Sequence, residues 1–412
     1  MPPPLIITPT TPLLSSPSPT THTVTFTPDC TDDDIILTLP HLPSLTSLTL
    51  SGNTHITDAA LITLASGCNP GLTALHMERM TGITDVSLTA LAGGGVGPGC
   101  PRLTHLELQQ TPIKDHGILE LAGSGVGLGC PLLRTLNLSY TEVGDDAMFA
   151  LAGGGEASGC PQLAELRLLS TLVTDFGIVA LAGGIQQLHG VLDEDQEHHR
   201  IWPGCPNLTL LGLERTSITD TAIAALAGLG PLLNASASAH PHRLSIASRL
   251  STELCFEPAA SSSADSGVHG CRLLTTLYLY KTAVTDQALR SLSHLAYLST
   301  LDVEWTDVTD TGIKALGGVL DDDDEEERGW GNPRLIKLNI RNCLNITGSS
   351  LRTLAAGCPR LETLNTDVEG ADDIVASFVD LSLAVSLLEA RFERRLSSLQ
   401  SMFESQLADL RS

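Results

Sequence analysis

With 412 residues the chain is long enough for two or three ordinary domains. Hydrophobic residues make up 42% of it and aromatics only 3%, so any core must be built from aliphatic side chains and close backbone approach. Lys and Arg number 23 against 47 Asp and Glu, and the resulting net charge of −24 excludes nucleic acid and anionic membranes as partners.

In chain order, residues 1–22 come first. They are rich in Pro, Thr and Ser and are expected to be disordered. The start, Met1-Pro2-Pro3-Pro4-Leu5-Ile6-Ile7, lacks the basic residues and long apolar run of a secretory signal. No run of about 18 apolar residues occurs anywhere, so no membrane-spanning helix is expected. These features predict an intracellular, cytoplasmic chain, with nucleus, cytoskeleton and cilium as alternatives, whose ten cysteines are reduced.

From residue 23 to 370 the sequence repeats. Val24-Thr25-Phe26 with Asp33-Asp34-Ile35-Ile36-Leu37 reads as a degenerate first unit. The phrase Leu-x-x-Leu-x-Leu then recurs at Leu103-Leu106-Leu108, Leu133-Leu136-Leu138, Leu163-Leu166-Leu168, Leu208-Leu211-Leu213 and Leu274-Leu277-Leu279. Looser copies begin at Leu45, Leu72, Leu298, Leu335 and Leu361, and uninterrupted units are 24–31 residues long. Alternating Leu-x-Leu predicts a short strand with one buried face. In each of eight units Ile or Val is followed two residues on by Asp, from Ile56-Thr57-Asp58 to Val308-Thr309-Asp310. Apolar residues three and six positions beyond each Asp predict a helix, and the Asp is expected to cap that helix through its free backbone N–H groups. Ala-Gly ends the helices and Cys-Pro follows at Cys100, Cys130, Cys160, Cys205 and Cys358.

A unit of this size cannot bury its own apolar face, so units must stack. The predicted fold is an α/β leucine-rich-repeat solenoid, a right-handed β-α superhelical horseshoe of about ten to eleven repeats with strands on the concave side. Three insertions, 185–204, 229–270 and 319–332, are acidic or rich in Ser, Ala and Pro and are expected to be disordered loops between a helix and the next strand. Residues 371–412 carry apolar side chains from Leu381 to Leu410 at spacings of three and four, which predicts a long amphipathic, coiled-coil-like C-terminal α-helix. Its partner would be another helix or a second copy, through 381–410.

Between strand and helix a turn column reads Asn53, Met80, Thr111, Thr141, Thr171, Thr216, Thr282, Thr306 and Cys343. A small polar side chain there can satisfy backbone groups, whereas Met80 cannot, so its unit is expected to be irregular. The string Leu335-x-x-Leu338-x-Ile340-x-x-Cys343-x-x-Ile346-Thr347, continued by Leu351-x-x-Leu354-Ala355-x-Gly357-Cys358-Pro359, resembles the cysteine-containing leucine-rich repeat. That repeat is typical of F-box substrate receptors and of antagonist-of-mitotic-exit-network-like proteins. The resemblance, over roughly 24–370, implies a protein-binding module, acting as the substrate-recognition component of SCF-type ubiquitin-dependent degradation. The alternative is a scaffold of a cytoskeletal or ciliary assembly. No F-box precedes the repeats in this sequence.

Catalytic signatures are missing. The runs Gly93-Gly94-Gly95 and Gly153-Gly154-Gly155 are not followed by Gly-Lys-Ser/Thr, the thiols are about thirty residues apart, and the Asp residues recur at repeat spacing rather than within one loop. No enzyme activity, cofactor or metal is therefore expected. The candidate protein-binding residues lie between and after the repeat leucines, on the expected concave face: Tyr140, Arg167, Arg215, Tyr278, Tyr280, Lys281, Glu304, Trp305 and Arg341. Tyr, Trp and Arg are the residue types that most often dominate binding energy.

Overall fold

The computed structural model describes residues 4–9, 21–69, 71–95, 97–125, 127–155, 157–183, 185–186, 200–201, 203–229, 270–319 and 332–368. The expected C-terminal helix at 371–412, the body of the three insertions and most of 1–22 lie outside them.

Twelve strands, nearly all of three residues, hydrogen-bond in parallel as one open sheet in chain order, and short helices alternate with them along the solenoid. The fold is a leucine-rich-repeat solenoid. Its register is set by the middle leucine of each phrase. Leu48, Leu75, Leu106, Leu136, Leu166, Leu211, Leu277, Leu301, Leu338 and Leu364 pair in succession across the sheet. All ten are at most 9% exposed and form one aliphatic spine. Leu211 pairs with Leu277 directly across the 229–270 insertion, so the extra chain leaves the stack without shifting the register.

The first repeat is where it is expected, with strand Thr23–Phe26 and helix Asp32–Thr38. The segment before it departs from expectation. Leu5–Ile7 is not disordered chain but the edge strand of the sheet, parallel to Thr23–Phe26 with Leu5 opposite Val24. Three consecutive aliphatic residues are enough to use the free backbone edge of the next strand, even inside a Pro-rich segment. At the root of the 185–204 insertion Ile185–Gln186 and Arg200–Ile201 pair antiparallel.

The repeating Asp does not cap its own helix. That role falls to the preceding threonine: Thr57, Thr84, Thr174, Thr219, Thr285 and Thr309 each accept the N–H two residues on. The Asp carboxylate faces the following repeat. Asp145 accepts the Thr174 N–H at 2.8 Å, the Thr174 hydroxyl at 2.6 Å and the Gly177 N–H at 3.1 Å. Asp32, Asp58, Asp175, Asp220, Asp286 and Asp310 receive the same N–H and hydroxyl pair from Thr57, Thr84, Thr219, Thr285, Thr309 and Thr347. A ladder of carboxylates thus staples each helix start to the next, in a direction that only stacking can create.

Two rungs lack the hydroxyl, because Lys114 and Gly144 stand where threonine stands elsewhere. Asp85 receives the Lys114 N–H without a hydroxyl, and Asp115 receives the Gly144 and Ala147 N–H groups without one. Gly144 has φ −124° and ψ −154°, an extended conformation open to any residue, and a Cβ there would meet nothing nearer than 3.4 Å. Gly144→Thr is therefore expected to stabilise the chain by about 1–2 kcal/mol, through a cap, a new bond to Asp115 and a stiffer unfolded chain. A denaturant midpoint unchanged or lowered by that substitution would contradict the ladder.

The turn column behaves as expected where it is threonine. Each hydroxyl donates to the carbonyl three residues back, from Thr111 to Leu108 at 2.6 Å through Thr306 to Val303 at 2.6 Å. Asn53 does more, donating to Thr27 and Cys30 carbonyls and accepting the His55 and Ile56 N–H groups. The Met80 unit is not irregular. Met80 is fully buried, and Arg79 before it has φ 57°, as Gln110 has in the next repeat. Apolar packing replaces the hydrogen bond there.

At the start of each strand a second buried column holds the cysteines. Its members are Leu42, Asn69, Cys100, Cys130, Cys160, Cys205, Cys271, Leu295, Asn332 and Cys358, each accepting the N–H three residues on. Asn69 is thus the column residue of its repeat. Gly99, just before Cys100, has φ 69° and lies so close to Leu91 and Gly93 that a Cβ would fall within 3 Å of their backbone, which only glycine tolerates. Thiols of the column donate weakly to carbonyls of earlier repeats, as Cys205 does to Leu151 at 3.6 Å. Burial pushes Cys100, Cys160, Cys271 and Cys358 up to about 12. The eight cysteines whose side chains the structure describes are all buried, so no more than two of the ten thiols should react with a disulfide reagent at pH 8 before unfolding. Because these values are raised, the thiols' share of stability is complete below pH ~9 and is lost as pH rises toward 12. Fast labelling of more than two thiols in the folded chain would show the column to be open.

Candidate functional site

The strands are too short to hold the candidate residues alone. In the units from Leu48 to Leu301 the parallel ladder runs on beyond the strand: the N–H groups two and four residues past the middle leucine each donate to a carbonyl of the next repeat. Tyr140 N–H reaches the Leu169 carbonyl at 2.7 Å, Arg215 that of Tyr280 at 2.8 Å, Lys281 that of Glu304 at 3.0 Å and Trp305 that of Arg341 at 3.1 Å. To aim those N–H groups at the neighbour, the donor residues take left-handed backbone angles, φ 59° at Tyr140, 54° at Arg215 and Lys281, and 57° at Trp305. The conformation costs about 1 kcal/mol for a non-glycine residue and is offset by the inter-repeat bond. It also turns the side chains outward, onto a rim where the sheet gives way to the helices.

The nine candidates therefore separate into three sets. Arg167 and Tyr278 stand on the concave strands themselves. Tyr280, Glu304 and Arg341 stand two residues beyond the strand ends, where their carbonyls accept the continued ladder. Tyr140, Arg215, Lys281 and Trp305 are not on the concave strands but on the rim, in equivalent positions of their repeats. Sequence spacing cannot separate strand from rim, because the left-handed turn is made by Tyr, Arg, Lys and Trp rather than by the glycine that usually signals it.

Four of the nine come together. The Arg215 guanidinium lies 5.6 Å from the Tyr280 ring centre, and the Lys281 ammonium lies 5.2 Å from Tyr280 and 5.0 Å from Trp305. These are cation–π distances. Lys281 first and Arg215 second also hold the Tyr280 hydroxyl below its ordinary range by hydrogen bonding. Trp305 is 51% exposed, an unusual state for a large aromatic in a chain with so few. Tyr140, 44% exposed, stands apart on an earlier repeat.

The carboxylates nearby are engaged elsewhere. Glu304 accepts the side-chain amides of Asn339 at 2.9 Å and Asn342 at 3.2 Å. Asp302 accepts the Glu304 N–H at 3.0 Å, and burial raises its pKa above the usual carboxylate range. Glu214 folds back over Gly212, where a Cβ would stand 2.9 Å from its Oε2, and burial raises its pKa against the lowering effect of Arg167. Arg167 pairs with Glu165 at 3.5 Å and Arg341 with Asp367 at 3.3 Å. Sequence reasoning missed Asn339, Asn342 and Gly212. Gly212 was visible as the one glycine between two phrase leucines, a notch among larger concave residues.

Among the described residues no group of three or more His, Cys, Asp or Glu is placed to hold a metal ion, and no helix is long and apolar enough to cross a membrane. A groove on the helical side, lined by Ile62, Ala65, Val86, Thr89 and Ala90, is apolar and has no convergent polar groups.

The leucine-rich-repeat family profile matches residues 41–65, 129–152 and 294–317. Each match runs from just before the buried column residue to the end of a helix, one complete unit. No curated protein matches the chain by sequence. Among solved structures it is similar to internalin C2 of Listeria monocytogenes, at 18% identity and TM-score 0.39 over 68% of this chain and 77% of that one. It is also similar to an internalin F of the same organism, at 17% identity and TM-score 0.42 over 82% and 84%. A third similar structure is the complex of Rad7 and Elc1 in yeast, at 14% identity and TM-score 0.41 over 84% and 75%.

Proposed function

We propose that the chain is a non-catalytic protein-binding module whose ligand seats on the C-terminal half of the concave face and its rim. The observation that carries this reading is the patch formed by Tyr278, Tyr280, Lys281 and Trp305 with Arg215, on three successive repeats. It gathers three of the chain's seven Tyr and Trp residues at one exposed place. Aromatic and Arg anchors on a rigid scaffold lose little conformational freedom on binding, which is why they dominate interface energetics. The floor beside them supplies polar groups already hydrogen-bonded, so a ligand need not organise them.

Within this reading, the cysteine-containing repeat favours selection of a substrate for ubiquitylation over a scaffold role. Affinity purification of the wild-type chain and of Tyr278→Ala, with quantitative mass spectrometry, tests both levels. Proteins captured by the first and lost from the second are the expected ligands. Cullin subunits among the proteins retained by both would support the degradation role; tubulin or ciliary proteins in that place would support the scaffold. An identical capture by the two chains would contradict concave binding.

A further inference from the structure

We propose that the Arg215–Tyr280–Lys281–Trp305 ledge docks an acidic segment of the partner protein, its carboxylates on Arg215 and Lys281 and an apolar side chain on Trp305. This rests on the protein-binding reading above and names the chemistry of the ligand.

Charge is the first argument. In a chain of net charge −24, Arg167 pairs with Glu165 and Arg341 with Asp367, while Arg79 and Lys337 stand singly on other repeats; among the described residues only Arg215 and Lys281 come together, on the Tyr280 ring. Lys114, on the loop after its strand, is neutralised by Glu142. Arg215 and Lys281 form no such ion pair among the described residues, and both are exposed. Their partners are the Tyr280 and Trp305 rings and the neutral Tyr280 hydroxyl, which occupy only some of their N–H groups and bring no negative charge to neutralise them. The carboxylates near enough to pair with them are turned away, Glu304 toward Asn339 and Asn342 and Glu214 over Gly212.

Rigidity is the second. Arg215, Lys281 and Trp305 each stand on a left-handed residue whose N–H is bonded to the next repeat, so their spacing is fixed by the solenoid rather than by loop flexibility. The rings then restrict the cations further. A preorganised pair of donors beside an exposed indole matches a short segment that carries acidic and apolar residues together. A basic segment would meet like charge at both positions.

The probe is a fluorescein-labelled peptide of Glu and Phe residues, with a Lys and Phe peptide of equal length as its opposite, titrated with the full chain by anisotropy. The Glu/Phe peptide should bind and the Lys/Phe peptide should not, and binding should weaken as salt is raised. Arg215→Gln and Lys281→Gln should each weaken it about tenfold. Glutamine is tolerated at this backbone position, since Gln110 holds it at φ 57° in another repeat. Lys281→Arg should restore binding. Equal binding of both peptides, indifference to the two Gln substitutions, or no binding of the acidic peptide would each overturn the proposal. Binding that is lost in Tyr278→Ala yet shows no charge preference would remove the ledge and leave the concave reading standing.

Discussion

Leu136→Asp is expected to abolish the cooperative fold of the repeats around it, at a cost above about 4 kcal/mol. Leu136 is fully buried and in register between Leu106 and Leu166, so the carboxylate would be enclosed by aliphatic neighbours with no cation or donor within the spine. Removing the leucine already costs ~2–5 kcal/mol, and an unpaired charge adds to it unless the group takes up a proton. Because each repeat is stabilised by contact with its neighbours, the damage should spread outward from the site. Circular dichroism against denaturant is the measurement. A midpoint within experimental error of the wild type would mean that the leucine spine is misregistered.

Asp145→Ala carries the second largest effect. It removes the acceptor of three hydrogen bonds from the following repeat and leaves the half-buried Thr174 and the buried Gly177 donors without it. A loss of about 2–4 kcal/mol is expected. Asp115→Ala should cost less, because its rung lacks the hydroxyl that Gly144 cannot provide. The difference between the two variants reads out the hydroxyl–carboxylate bond, and equal losses would show that the carboxylates act only on their own helices. The same rungs set a pH dependence. Burial raises Asp115, Asp145 and Asp175 against the hydrogen bonds that lower them. Their linked contribution is therefore largest below pH ~4 and falls as pH rises through the raised values. At Asp310, bonds from Ser350 and Thr347 and the Lys314 charge outweigh desolvation, so the pKa is lowered and its contribution is lost on acidification instead. Asp145→Asn should flatten the first trend and leave the second.

Much of the fold was legible because the repeat leucines obey the strand period and nothing else explains their recurrence. The middle leucine of each phrase is the residue that pairs in the sheet, including across the long insertions. The carboxylate ladder was not legible. An Asp following Thr at a helix start is equally consistent with capping its own helix, and its true donors lie 29 residues on at Thr174 or 65 residues on at Thr285. Leu5–Ile7 was hidden by its surroundings, since a three-residue strand has too little pattern to stand out from Pro and Thr. In the site, residue identity pointed to the aromatic and basic anchors. What it could not supply was their placement on a left-handed rim, since the backbone angle there is dictated by the neighbouring repeat's carbonyl and not by the residue that adopts it.

Site-specific photo-crosslinking tests the binding claim most directly. A benzophenone amino acid in place of Tyr278, on the concave floor, should crosslink to a discrete partner protein from cell extract. The same group in place of Val86, exposed on the helical side, should not reach that partner. The account predicts one partner band from position 278, competed by the unlabelled wild-type chain and absent from position 86. The same band from position 86 and none from 278 would place the ligand on the helices and contradict it.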